Sequence, residues 1–291
     1  MDSGAVAVNP LTHDSDTAWN RLKATQTVRA VTPLPLDTPV KEDAVRFVCI
    51  SDTHSAIERM RYPIPDGDVL LHAGDFTKRG LAEEVDAFSR FLATLPHRHK
   101  FVIAGNHELS FDPATTGYSQ SRARAALEEA VAMVKRRLLN CSYLEDAEAT
   151  ACGVKVYGSP WQPRFHNWAF NLQRGQALLE KWNRIPTDTD VLMTHTPPIG
   201  HGDFCVRNRH VGCVELLSVV QNRVRPRYHV FGHIHEGEVA SFCAGIKLVG
   251  FSYLPKLRCD HEECRSEGTK LIQIVQGPQH ASQSKHLLQY F

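Results

Sequence analysis

Asp52-x-His54, Gly74-Asp75, Gly105-Asn106-His107-Glu108, His195 and Gly232-His233-x-His235 each follow directly on a β-branched or leucine-rich run. A D-x-H triplet alone arises by chance in many chains, but five such segments in this order do not. The set Asp52, His54, Asp75, Asn106, His195, His233 and His235 offers two carboxylates, one amide and four imidazoles, and no thiolate. Oxygen and imidazole donors in that mixture suit divalent ions of the manganese or iron kind. Hydrolysing a phosphoester at neutral pH needs an activated water and neutralised phosphoryl oxygens, which two divalent ions supply. It also needs a proton for the leaving oxygen. The residue types therefore lead us to expect a two-metal phosphoester hydrolase.

The elements that must position these residues are legible as well. Apolar runs over Val45 to Ile50, Asp68 to His72, Lys100 to Ile103, Asp190 to Met193 and Tyr228 to Phe231 read as strands, and each leads into one of the five segments. Between them, Leu81, Val85, Phe88, Leu92 and Leu95 recur at helical spacing, as do Leu127, Val131, Val134 and Leu138, with Asn140 as a stop. Val214 to Val224, ended by Pro226, and Arg174 to Trp182 are two further helix candidates. Strand, helix and strand in alternation predict an α/β domain with a largely parallel sheet, and in such sheets sites form beyond the carboxyl ends of the strands.

With 291 residues, 42% of them hydrophobic, the chain is long enough for one large or two ordinary domains. The segments from Asp52 to His235 belong to one site, so they favour a single domain over 45–255. An extended, partly disordered arm is expected over 1–44 and an atypical extension over 256–291. A formal charge of +1 without a basic block argues against a nucleic-acid polymer as partner. Met1 to Pro10 lacks a signal-peptide pattern, and no run is long and apolar enough for a bilayer, so the expectation is a cytoplasmic protein with no membrane partner. The sequence assigns no protein partner. Eight scattered cysteines read as reduced thiols. Cys259, His261 and Cys264 lack a fourth ligand and read as coincidence.

Phe47-Val-Cys-Ile-Ser-Asp-Thr-His54, Ile103-Ala-Gly-Asn-His-Glu108, Val211-Gly-Cys-Val-Glu-Leu-Leu217 and His229-Val-Phe-Gly-His-Ile-His-Glu-Gly237 carry a resemblance to a known family. The chain resembles the calcineurin-like metallophosphoesterases and, within them, the metallophosphoesterase-domain subfamily of class III phosphodiesterase relatives. The resemblance runs from Phe47 to Glu236, roughly two thirds of the chain. It implies a four-layer αββα sandwich, the metallo-dependent phosphatase fold. It also implies two divalent ions, manganese first, with iron, zinc or magnesium as alternatives. Asp52, His54 and His235 would hold one, Asn106, His195 and His233 the other, and Asp75 would bridge them. His107 would be the acid outside the metal shells, contacting the phosphate together with Asn106 and His233, with Glu108 beside it as an orienting or structural partner. One branch of the subfamily has glycine at the position of His233 and binds nucleotide in place of the second metal. His233 thus implies a complete centre.

The activity implied is a phosphodiesterase on small diesters such as cyclic nucleotides. Two alternatives stay open: a nucleotide-binding or scaffold protein with little turnover, and a phosphoprotein phosphatase. The last rests on Arg79, placed like a phosphate-binding arginine of the Ser/Thr phosphatases, whose second arginine is Ala104 here. After Leu248 the family pattern fails, and an edge strand of the second sheet is expected to be missing or replaced. Among residues with a plainer reading, His72, His97, His99, His201, His210 and His229 are core or surface histidines. Asp66 and Asp68 belong to a turn. Phe165, Trp161 and Trp168 favour packing over stacking a base.

Overall fold

The computed structural model describes residues 6–26, 29–30, 39, 44–59, 63–115, 121–236, 240–243, 246–250, 272–276 and 289–290. Two sheets face one another. The first contains β2 (Val45–Ile50), β3 (Val69–His72), β4 (His99–Val102) and β5 (Ser142–Tyr143), paired in parallel and in that order. The second has at its centre the parallel set β7 (Val154–Ser159), β10 (Val191–Thr194), β13 (Tyr228–Phe231) and β15 (Ile246–Gly250). Three antiparallel strands extend it: β6 (Ala147–Ala151) beside β7, β14 (Ala240–Cys243) beside β15, and β1 (Arg29–Ala30) beside β14.

Side chains alternate across each strand, and that alternation makes the layers. Phe47 and Cys49 of β2, with Val69 and Leu71 of β3, point into the space between the sheets, where they meet Val191 and Met193 of β10 and Tyr228 and Val230 of β13. Val48, Ile50 and Leu70 point the other way, onto Val85, Phe88 and Leu92 of helix α2 (Ala82–Thr94). Helix α3 (Ser121–Lys135) joins that layer through Val134. Beyond the second sheet, Leu192 and Phe231 meet Leu178, Leu179 and Trp182 of α4 (Gln176–Trp182) and Leu216 and Val219 of α5 (Val214–Val219). The result is the αββα sandwich, with strands buried on both faces as their near-continuous apolar runs require.

Several expectations change. The arm over 1–44 was expected to be extended, but Ser15–Leu22 forms helix α1. Asp14 caps it by accepting from the Thr17 backbone N–H at 3.1 Å, and Ala18 packs with Ile199, Val214 and Leu217. Leu81 is the exposed cap of α2 rather than a core position. Helix α3 ends at Lys135, before Leu138 and well before Asn140. The first sheet is continued past β2 by β16 (Ile272–Gln276), antiparallel with Ile274 opposite Phe47, and then by β17 (Gln289–Tyr290). A strand from the 256–291 segment is thus part of the sandwich. The Cys259, His261, Cys264 group and residues 251–271 lie outside the described residues.

Candidate metal centre

All five chemical segments leave the carboxyl ends of strands, from both sheets, and converge. The turns they make are unusual for the chain. Asp52 (φ 54°), His54 (φ 41°), Asp75 (φ 55°) and His233 (φ 74°) all adopt left-handed backbone, a region costing side-chain-bearing residues on the order of 1–3 kcal/mol each and tolerated where the surroundings over-determine it. Those surroundings are visible. Asp52 N–H donates to Gly74 O and His54 N–H to Asp75 O, both at 2.9 Å, and Gly232 N–H donates to His195 O at 3.0 Å. Gly105 has no tolerance for a side chain, because a Cβ there would run into Asp75 Oδ1 and the His195 ring.

Two groups of three residues result. Asp52, His54 and His235 bring one ligand atom each within 4.8 Å of one another, and so do Asp75, His195 and His233. In the first, His235 Nε2 is 3.3 Å from Asp52 Oδ1 and from His54 Nε2. In the second, His195 Nε2 is 3.3 Å from Asp75 Oδ2 and 3.1 Å from Asn106 Oδ1. Asp75 Oδ2 also lies 4.0 Å from His54 Nε2, between the groups. The His195 ring is held by Nδ1–H donating 2.9 Å to Ala73 O, which turns Nε2 toward Asp75 and Asn106, as ligand-orienting contacts do. Buried and half-buried oxygen and imidazole donors aimed at one another fit divalent cations.

At His54 and His233 the electrostatics agree with that fit. Burial lowers His54 to about 4 and His233 to about 3, so both present neutral rings with free lone pairs. Burial alone would also lower His195, but the Asp75 carboxylate outweighs it and raises the ring to about 9. Burial opposes ionisation of Asp52 and Asp75; the imidazoles of His235 and His195 prevail, and both carboxyls stay well below their usual range.

His107 sits differently. Its Nδ1–H donates 2.7 Å to Lys78 O, leaving Nε2 toward the site, 3.9 Å from Asp75 Oδ2. Since His54, Asp75 and His107 also form a group of three within 4.8 Å, geometry alone admits His107 as acid or as ligand. Trp168 lies against its ring, with centroids 4.3 Å apart, and Phe165 meets His233 edge-on at 5.8 Å. Packing describes Trp161, whose Nε1–H donates to Asp146 at 2.9 Å beneath Lys181. It does not describe Phe165 and Trp168, which rim the centre.

Glu108, fully buried, accepts from Asp75 N (2.9 Å), Thr77 N and Oγ1 (both 2.8 Å) and Gly105 N (2.6 Å). Burial and the nearby Asp75 push its carboxyl up to about 8, against the pull of those donors. It joins the two turns that carry Asp75 and Asn106. Glu108→Gln places an amide N–H₂ against donors, so at pH 9, where the parent carboxyl is ionised, the metal-free protein is expected to lose about 1–3 kcal/mol of unfolding free energy, measured by denaturant titration.

The remaining histidines are core or surface, as expected. His72, His97, His201 and His229 are buried, and His210 pairs with Asp203 at 2.7 Å. Asp68 accepts from Arg46 N in its turn at 2.8 Å. Arg79 is exposed, and its backbone N–H donates to Glu84 at 3.1 Å. What sequence reasoning missed is that His72 and His229 each touch a threonine beside a candidate ligand. Their only sequence signal is position, three residues before Asp75 and four before His233.

A model of the calcineurin-like phosphoesterases matches residues 45–237. Human metallophosphoesterase domain-containing protein 1 is 51% identical over 218 residues, covering 72% of this chain and 66% of that protein. From Caenorhabditis elegans, UPF0046 protein T07D4.2 is 48% identical over 81% of this chain and 62% of its own length, and UPF0046 protein C25E10.12 is 43% identical over 90% and 92%. The chain thus spans slightly less than two thirds of the first two relatives. A solved crystal structure superposes with a TM-score of 0.51 at 15% identity, over 80% of this chain and 95% of that one, which speaks to fold alone.

Proposed function

The chain belongs to the calcineurin-like phosphoesterases, and from that premise we propose that it is a phosphodiesterase acting on small diesters with a flat organic group, nucleotides included. The observation that carries this is the pair of ligand groups, Asp52–His54–His235 and Asp75–His195–His233, joined by Asp75 and completed by Asn106. When bound there, two divalent ions would activate water and neutralise the phosphoryl oxygens. Manganese leads, because the donors are carboxylate, amide and imidazole without thiolate.

The chain's own residues supply the rest. Asn106, His107 and His233 hold the phosphate. His107, its Nδ1–H engaged by Lys78 O, holds a proton on Nε2 and delivers it to the leaving oxygen. The rings of Trp168 beside His107 and Phe165 beside His233 offer faces on which a base or aryl group stacks. The phosphoprotein reading loses support, since the position of a second phosphate-binding arginine is a buried alanine, Ala104. Among the described residues no helix is long and apolar enough to cross a membrane.

Metal-reconstituted protein should be assayed on bis(nitrophenyl) phosphate, cyclic nucleotides, nitrophenyl phosphate and a phosphopeptide. Diesters are expected to turn over at least about tenfold faster than the monoester and the phosphopeptide, a difference of roughly 1.4 kcal/mol in barrier. Preference for the phosphopeptide would establish the phosphatase reading instead. Two bound metals without turnover on any substrate would make the protein a binding module.

A further inference from the structure

We propose that His72 and His229 are positioning residues, each fixing a ligand-bearing turn on the neighbouring parallel strand through a threonine hydroxyl. This rests on the ligand assignment of the proposed function. In the first sheet, His72 ends β3, is fully buried, and has Nε2 2.9 Å from Thr53 Oγ1. Thr53 lies between Asp52 and His54, two ligands with left-handed backbone, so the contact pins the middle of the turn that most needs fixing.

The second sheet repeats the device. His229 of β13, fully buried, has Nε2 2.8 Å from Thr194 Oγ1 on β10. That hydroxyl donates to Thr196 O at 2.7 Å, so it accepts from His229 Nε2–H, and the chain of bonds brackets His195 on both sides. Each pair joins parallel strands, with Ile50 opposite His72 and Leu192 opposite His229. In each, the histidine's own strand leads into the next ligand, Asp75 or His233.

Packing does not account for imidazoles here. His72 meets Phe76 and Phe88 edge-to-face at 6.0 and 5.2 Å, contacts a phenylalanine would make as well. His72 Nδ1 and His229 Nδ1 find no hydrogen-bond partner among the described residues, so a phenyl ring would leave no more buried polar atoms unsatisfied than the imidazole does: at 72 it removes Nδ1 and frees the Thr53 hydroxyl, and at 229 it removes Nδ1 while Thr194 keeps Thr196 O. A side chain that gains nothing in stability over a phenyl ring and sits one hydroxyl away from the ligands acts on those ligands.

Manganese titrated calorimetrically into chelator-treated protein, together with the thermal midpoint of the metal-free form, tests this. The parent should take two ions. His72→Phe should weaken one binding step by about ten- to a hundredfold, the range seen when a ligand-orienting partner is lost, and His229→Phe should weaken the other. Neither should lower the metal-free midpoint. Thr53→Val should reproduce His72→Phe and reads the same contact if the ring replacement fails to fold, while His72→Gln, which restores a partner for Thr53, should recover most of the loss. Unchanged affinities, no rescue by glutamine, or a lowered midpoint with both steps weakened alike would overturn the assignment. A parent that binds no metal would overturn the proposed centre itself.

Discussion

Asp75→Ala should abolish tight binding of at least one of the two ions and lower kcat on diesters by roughly 10³-fold or more, since the loss of a ligand shared by both groups removes several kcal/mol of transition-state stabilisation. The geometry explains why no neighbour can substitute. Asp75 Oδ2 is within 4.0 Å of His54, His107 and His195 nitrogens, and Oδ1 accepts the His107 backbone N–H at 2.8 Å. Without that carboxylate, several imidazoles face one another with no anion between them. Elemental analysis and turnover should be measured on the same sample. Two tightly held metals with undiminished turnover would sink the bridging role. Asp75→Asn keeps the shape and removes the charge, and is expected to fall near the alanine variant if charge is what matters.

The second large effect separates the two roles geometry allows for His107. As the acid, His107→Ala keeps its metals and loses rate by roughly 10²–10⁴. The deficit depends on the leaving group: nitrophenolate departs with little help, whereas a ribose alkoxide needs the proton, so the loss should be far greater on a cyclic nucleotide than on an aryl diester. Equal losses on both substrates would show that His107 serves the phosphate rather than the leaving oxygen. Loss of a metal would make it a ligand, as its grouping with His54 and Asp75 also permits.

Much of the candidate centre was legible in the sequence because the proposed ligands sit where strand periodicity breaks, and strand ends are easy to find in runs buried on both faces. The structure brings Asp52, His54, Asp75, His195, His233 and His235 together, with Asn106 and His107 beside them. Other features carry no local signal. Helix α1 has only eight residues, too few to show a period, and its burial against Ile199 and Leu217 comes from residues far along the chain. The pairing of Ile272–Gln276 with β2 bridges a comparable distance. Strand β6, Ala147–Ala151, alternates Ala with Glu and Thr, and Thr150 is its single β-branched residue where the central strands carry several. His72 and His229 were indistinguishable from other core histidines, since a hydroxyl partner on an adjacent strand depends on register, which composition does not reveal.

The seven proposed ligands are divided between the two sheets: Asp52, His54, Asp75 and Asn106 leave the first, His195, His233 and His235 the second. Cations bound there would act as rivets across the sandwich, so that parting the sheets and losing metal become one event. Their binding free energy then adds to folding, by about 2.7 kcal/mol for each ion held at a hundred times its dissociation constant. Chains made where the metal is scarce would open more often and meet proteases in that state. The cellular amount of this protein, and not only its activity, would therefore follow the supply of its metal.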